Sequence, residues 1–389
     1  MNFFFFITNL GIIALVAAFL IITPALTRKS LLFGVRVPEA VAPLPEVRGL
    51  KRNYYTVILI GCVVLLAAAV LQYVTAPALT LLALLYFPFI LVGVQFLAFI
   101  PQWKKAKALK EERGWDVPLT SIVETRSSAD RQKLSSLPWG WYIASVILVL
   151  AMVIWTIAIY PSVPDRIATH WGMNMQPDAW TDKNMLSLLI FPLSALALTV
   201  IIAGANILIY RQRLQISAEH PALSFAQHRA YRRMMSHALG FMTLCFTLMF
   251  VLMQPVTLNI FAASAAYLPI VVGVTCGLGI IPVLYVSVRA GQSGCKLNPA
   301  ISERDALSEK LSANVKIAHP GRTDDRYWKL GMFYYNPDDP VNLIEDRFGG
   351  NGGFNYAHLP GKLFAGVTAA LIVVTYALIT YWVLAGGVI

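Results

Sequence analysis

Three observations predict an all-α polytopic membrane protein of about eight transmembrane helices. The 389 residues are 57% hydrophobic and only 13% charged, about half the roughly 25% usual in soluble domains. Apolar runs of about 20 residues recur, each long enough to cross about 30 Å of hydrocarbon as a helix. The charges that remain cluster between those runs. Inside a bilayer every backbone polar group must be satisfied internally, so such runs are helices.

The runs lie near 3–23, 54–74, 78–100, 140–160, 185–209, 237–256, 264–287 and 363–385. The first, "MNFFFFITNLGIIALVAAFLIITPALTRKS", has no basic residue ahead of its apolar core, while Arg28 and Lys29 follow it. A secretory signal has the reverse order, so a retained span is expected. The chain then divides into 1–138 (three spans with basic loops), 139–210 (span, loop, span), 211–288 (loop and hairpin of spans), 289–362 (a non-membrane subdomain) and 363–389 (the last span).

Of 31 Lys and Arg, six fall in 24–53, eight in 101–138, five in 210–236 and ten in 288–362, leaving only Arg166 and Lys183 in the loop after the fourth span. The positive-inside rule places the basic loops and 289–362 in the cytoplasm, and both termini and residues 163–180 outside. The net charge of +11 then reflects topology and contact with membrane lipid headgroups, not nucleic-acid binding. Cys62, Cys245 and Cys276 sit in apolar spans, no CxxC exists, and small buried hydrophobes are the expected reading.

Three stretches stand apart from the spans. In the cytoplasmic "SLLFGVRVPEAVAPLPEVRGLKRNYY", Gly34 allows a tight bend and Pro38, Pro43 and Pro45 prevent a long helix. After Pro45 a helix with Val47, Leu50 and Tyr54 on one face is expected, with Arg48, Lys51 and Arg52 turned to lipid headgroups. Arg36 is expected in a salt bridge or on a backbone carbonyl. In the outer "VPDRIATHWGMNMQPDAW", Pro161 and Pro164 end the fourth span and Asp165 caps the next turn. A short turn or strand spans Arg166–His170, and Gly172 and Pro177 break the chain again. Trp171 and Trp180 suit a membrane–water interface. His170 with nearby aspartates matches no zinc spacing, so no metal is expected.

The third stretch, 323–363, has turns at Asn336-Pro337-Asp338-Asp339-Pro340 and Gly349–Gly353 between aromatic runs. One or two short strands or a hairpin are expected, with Trp328 and Tyr334 buried against 30–55 or the span ends. Asp324, Asp325, Asp338 and Asp339 are expected to cap turns and pair with Arg or Lys.

These elements resemble known ones. Pro164, Ile167, His170, Trp171, Asp178 and Trp180 are similar to the extracytoplasmic signature of the bacterial membrane family that includes the Sdp toxin immunity protein. That signature is roughly Leu-Pro-x-x-Ile-Pro-x-His-Trp/Phe followed by Gly-x-x-Asp-x-Trp/Tyr; Ala168 stands here at the second proline. Phe33, Gly34, Arg36 and Pro38 resemble that family's Phe-Gly-Ile-Arg-Thr-Pro element. Asp325, Tyr327, Trp328, Tyr334, Tyr335, Asn336 and Asp338, within "DDRYWKLGMFYYNPDDP", resemble an uncharacterised domain often joined to the first. Together they cover about a quarter of the chain. The resemblance implies a protein of a bacterial cytoplasmic membrane, linked in some members to immunity against a secreted peptide toxin and to signalling.

No HExxH, GxSxG, Ser-x-x-Lys or P-loop occurs, and no cofactor is predicted. The predicted spans hold no Asp, Glu, Lys or Arg, whereas intramembrane catalysis and proton coupling usually keep such groups at depth. The leading expectation is a non-enzymatic protein whose outer loop meets an extracellular peptide or envelope ligand and whose inner loops meet a cytoplasmic regulator or transporter subunit. The alternatives are a transporter or transporter subunit for an apolar or peptidic substrate, opened by kinks at Pro88, Pro192, Pro255 and Pro282, and a membrane-embedded enzyme acting on lipid or cell-wall precursors.

Overall fold

The computed structural model describes residues 2–115, 122–125, 137–171, 177–211, 214–217, 220–261, 267–299, 315–317, 322, 324–348 and 352–385. Among the described residues eight long helices dominate: α1 (Asn2–Leu26), α2 (Pro45–Thr75), α3 (Thr80–Arg113), α4 (Trp139–Ala158), α5 (Met185–Arg211), α6 (Pro221–Thr257), α7 (Tyr267–Ala290) and α8 (Leu359–Leu384). All eight carry a stretch long and apolar enough to cross a membrane, so the chain is a multi-pass, all-α membrane protein. Several helices outrun their apolar cores. α2 has 31 residues and α3 has 34, or about 46 and 51 Å at 1.5 Å per residue. Pro45 opens α2 at its first turn, where the missing N–H costs nothing. Gly114 ends α3 in the left-handed conformation.

Short strands fill the connections: β1 (Leu31–Leu32), β2 (Val35–Arg36), β3 (Ile122–Thr125), β4 (Arg166–Trp171), β5 (Pro177–Asp182), β6 (Leu214–Ser217), β7 (Val315–Ile317), β8 (Trp328–Lys329), β9 (Phe333–Tyr334), β10 (Leu343–Glu345) and β11 (Gly352–Phe354). Every pairing among them is antiparallel: β1–β2, β4–β5, β8–β9 and β10–β11 are hairpins, and β3 lies between β6 and β7.

The chain forms two compact units. The first joins residues 1–125, 213–221 and 311–389. Its core packs Ile13, Ala17 and Leu20 of α1, the expected Val47, Leu50 and Tyr54 face of α2, and Leu91, Ala98 and Phe99 of α3. The Tyr54 hydroxyl donates to the Leu20 carbonyl at 3.1 Å, tying α2 to α1 inside that core. Residues 322–358 also belong to this unit. They form the expected aromatic subdomain, built on two hairpins, one more than the sequence predicts. α8 touches α3 through Tyr86, whose hydroxyl shares a 2.6 Å bond with Thr380 and whose ring meets Tyr376 edge-on.

The second unit joins residues 126–212 and 222–310. Beside two small apolar clusters, around Val149 and Met152 and around Met235 and Val286, its helices share buried polar clamps. Asn206 of α5 donates to the Tyr142 hydroxyl of α4 at 2.7 Å and to the Ser236 hydroxyl of α6 at 2.8 Å, and accepts from Ser236 at 3.0 Å. Gln254 of α6 donates to Thr156 of α4 at 3.0 Å and to the Leu188 carbonyl of α5 at 2.9 Å. In hydrocarbon, which gives helices no hydrophobic reason to associate, such bonds and close packing hold them together.

Candidate functional site

Two sites arise from the motifs, one in each unit. The first is the β4–β5 hairpin between α4 and α5. α4 ends at Ala158, a short 3-10 turn covers Tyr160–Ser162, and the chain becomes extended at Val163. Pro164 and Asp165 are exposed at the entry. The Asp165 carbonyl accepts from the Lys183 backbone N–H at 2.8 Å, and the Lys183 ammonium reaches the Val163 carbonyl at 2.7 Å. These bonds close the root of the hairpin. Ile167 is buried with Val163, Leu188 and Leu258, which seats the root on the ends of α5 and α6.

The outer half of the hairpin is irregular. Arg166 pairs with Asp182, Ile167 with Thr181 and Ala168 with Trp180, but His170 then pairs with Ala179 and Trp171 with Pro177. Register shifts lie on both sides of His170. Bulges of this kind turn a side chain away from its regular face. Trp180 is 43% exposed. The side chains of His170, Trp171 and Asp178, and all of residues 172–176, lie outside the described parts. Among the described residues no group of three His, Cys, Asp and Glu is placed to hold a metal. β5 is a departure from the sequence reading. Pro177 predicts a break, yet it opens the strand, and the first position of a strand tolerates a proline.

The second site joins the other two motifs, 289 residues apart in sequence. Phe33 and Gly34 form the two-residue tip of β1–β2, and Leu330 and Gly331 lie in the tip of β8–β9. All four have positive φ, at 46°, 80°, 53° and 71°. Positive φ at successive tip residues is the mark of type I′ turns, which match strand twist. The tips meet backbone to backbone. A Cβ on Gly34 would lie 2.2 Å from the Gly331 carbonyl oxygen, and one on Gly331 would lie 2.8 Å from the Trp103 ring of α3. Phe33 turns inward and its ring centroid lies 5.6 Å from that of Tyr54 and 5.7 Å from that of Phe99. Pro38, half-buried, precedes a single 3-10 turn that leads toward α2.

Asp325 is the electrostatic centre of this contact. One oxygen accepts from the Arg36 backbone N–H at 3.2 Å and from the Arg347 guanidinium; the other accepts from Lys110 of α3 at 2.7 Å. Arg36 thus reaches Asp325 through its main-chain N–H. Arg347 is buried beneath Trp328, with its guanidinium carbon 4.9 Å from the ring centroid. Burial pulls the Arg347 guanidinium below its ordinary pKa, and the Asp325 carboxylate opposes that shift.

Around this contact the subdomain is braced internally. Trp328 and Tyr334 are buried as expected, but against Ile344, Tyr327 and Val341 of the subdomain itself and not against 30–55. Arg322 makes a two-bond fork to Asp339 at 2.7 and 3.0 Å, and the Tyr334 hydroxyl donates to Asp339 at 3.0 Å. Burial alone would raise the Asp339 carboxyl; the Arg322 fork, the Val341 N–H and Tyr334 hold it below the usual carboxylate range. Burial pushes the Tyr334 phenol well above its ordinary value. Asn336 donates to the Tyr334 hydroxyl and accepts from the Asp338 N–H in an Asx turn. Asn355 donates to the Asn336 and Asp339 carbonyls at 2.7 and 3.0 Å. Tyr335 and Asp338 face solvent. A buried polar network whose members are paired in this way rigidifies a fold. Sequence reasoning missed Lys110, Arg322, Arg347 and Asn355; for Arg322 and Arg347 the available signal was basic charge within a short segment rich in aspartate and aromatic residues.

Fold and sites together define a membrane protein that carries a bulged hairpin between two spans and an ion-paired aromatic subdomain beside others. Residues 147–196 match the family model of a domain of unknown function (DUF1648). The match covers the second half of α4, the β4–β5 hairpin and the first half of α5. No curated protein and no solved structure matches the chain.

Proposed function

We propose that this is a non-enzymatic protein of a bacterial cytoplasmic membrane, acting in immunity to, or sensing of, an extracellular peptide or envelope component. The observation that carries the reading is the β4–β5 hairpin. A loop that only joins two spans needs neither a buried root nor two register shifts around one histidine. The distribution of 29 basic residues in alternate loops and two in this one supports placing the hairpin outside. In this reading His170, Asp178 and Trp180 form the recognition surface, and Pro164, Ile167 and Trp171 hold it. The basic loops and the subdomain face the cytoplasm, where a regulator or transporter subunit would bind.

The test compares phenotype with stability. His170→Ala and Asp178→Ala are expected to leave thermal stability in detergent unchanged while abolishing tolerance to the peptide or the signalling output. Loss of stability and phenotype together would make the hairpin a structural plug; full phenotype in both variants would remove it from the proposal. For orientation, Trp180→Cys in a cysteine-free background is expected to react with an impermeant thiol reagent in intact cells, and Lys329→Cys is not. Equal labelling would overturn the topology.

A further inference from the structure

A cavity of about 130 Å³ opens in the first unit, where α1, α2 and α3 meet the two hairpin tips. Its walls are Leu31, Leu32, Phe33 and Phe99, with Met332 and Phe348 of the subdomain closing one side. Five polar side chains also line it: Thr23, Thr27, Lys51, Tyr54 and Gln95. The Thr23 and Thr27 hydroxyls donate to the Phe19 and Pro24 carbonyls. Tyr54 is engaged by the Leu20 carbonyl. Lys51 and Gln95 have no hydrogen-bond or ion-pair partner among the described residues. Lys51 departs from expectation here. Arg48 and Arg52 are exposed on the same helix, whereas Lys51 is half-buried and faces the cavity.

The position is as informative as the lining. Lys51 precedes the apolar stretch of α2 that starts near Tyr54, and Phe99 precedes the basic end of α3 that carries Lys104, Lys105 and Lys107. The cavity therefore sits at the polar edge of the hydrocarbon zone. Apolar walls with one ammonium at that depth suit a molecule with an acyl chain and an anionic head. A polar metabolite would leave the phenyl and leucine walls unmatched, and a neutral lipid would leave Lys51 without a counter-charge.

We infer that this cavity, whose volume of about 130 Å³ takes a head and a few carbons but not a whole acyl chain, binds the head end of one anionic amphiphile per chain, with Lys51 on its head, Gln95 beside it, the first carbons of the tail against Phe33, Phe99 and Met332, and the rest of the tail outside the cavity. The head belongs to an anionic phospholipid or to a free fatty acid. Because Met332 and Phe348 form one wall, occupancy is sensed directly by the subdomain.

The test uses the full chain purified in a non-ionic maltoside detergent, with native mass spectrometry and thermal shift as readouts. Phosphatidylglycerol is expected to bind at one per chain and raise Tm, while phosphatidylcholine does neither. Binding of oleate with equal effect identifies a fatty acid as a sufficient ligand and supports the same site. Lys51→Gln is expected to weaken binding at least about tenfold, as loss of a charge-assisted contact does, and Arg52→Gln to leave it unchanged. Thr27→Leu keeps Lys51 but adds bulk to the cavity wall, and is expected to abolish binding even if Lys51→Gln folds poorly. Binding of phosphatidylcholine equal to that of phosphatidylglycerol, equal losses in Lys51→Gln and Arg52→Gln, or undiminished binding in Thr27→Leu would each overturn the inference.

Discussion

Gly34→Ala isolates the contact between the two hairpin tips. Its magnitude has two parts. At φ of 80° an alanine side chain costs about 1–2 kcal/mol for the left-handed backbone. The new Cβ would also sit 2.2 Å from the Gly331 carbonyl oxygen and 2.7 Å from its carbonyl carbon and Cα. These are backbone atoms, so relief needs one tip to move; overpacking of this kind costs about 1–3 kcal/mol. The sum, about 2–5 kcal/mol, corresponds to a shift of roughly thirtyfold to several-thousandfold in subdomain undocking. Gly114→Ala is the matched control. Gly114 has φ of 61° and no heavy atom within 4 Å of where a Cβ would stand, so only the backbone cost applies. Asparagine, which tolerates this conformation better than alanine does, is expected to relieve most of the cost at 114 and little of it at 34. Hydrogen exchange reads the result at the N–H groups of Gly331, Met332 and Tyr335, which bond within the subdomain. Protection that falls no further in Gly34→Ala than in Gly114→Ala would refute the backbone-to-backbone docking.

Asp325→Asn removes the carboxylate that the buried Arg347 and Lys110 share; breaking such a pair costs about 3–5 kcal/mol, and the expected outcome is protease access to 324–348 without loss of the eight spans. Asn206→Leu removes the clamp to Tyr142 and Ser236 and is expected to lower stability of the second unit by about 1–3 kcal/mol, with Tyr142→Phe costing less, as measured by thermal unfolding in detergent. Stability of the subdomain is expected to depend on pH at both extremes. The depressed Asp339 carboxyl contributes stability that is complete above its unfolded value of about 3.9 and is lost as pH falls through its folded value. The raised Tyr334 phenol contributes stability that is complete below about pH 10 and is lost as pH rises beyond it toward the folded value. Tryptophan fluorescence melts across about pH 3–11 check both limbs; Asp339→Asn is expected to remove the acid loss and Tyr334→Phe the alkaline one.

The helices were legible because hydropathy acts locally: a run of about 20 apolar residues needs no distant partner to be recognised. The Val47, Leu50 and Tyr54 face follows from helical spacing alone, and all three are buried. The second site is legible only in pieces. Its two motifs stand out, but nothing in either one states that the Arg36 N–H meets Asp325 across 289 residues. The turn tips are hidden for a chemical reason. Type I′ turns favour Asn-Gly, and Phe33-Gly34 and Leu330-Gly331 place bulky residues at positive φ. Phe33 takes that conformation while packing on Tyr54 and Phe99, a tertiary gain invisible in the dipeptide. Charge alone assigns Lys51 to headgroups, whereas its position on the helix turns it into the cavity.

The route of the chain through its two units has a consequence for biosynthesis. Residues 1–125 belong to the first unit, but the subdomain that docks on them lies within 311–389. The Arg36–Asp325 separation of 289 residues, at about 5–20 residues per second, is roughly 15–60 s of translation. Through that interval Gly34 has no opposing turn and Lys110 no carboxylate, while every residue of the second unit is synthesised. A ribosome stalled before residue 325 therefore displays a docking face that the finished protein conceals, and an insertase or chaperone that reads unpaired basic charge would find it only on nascent chains.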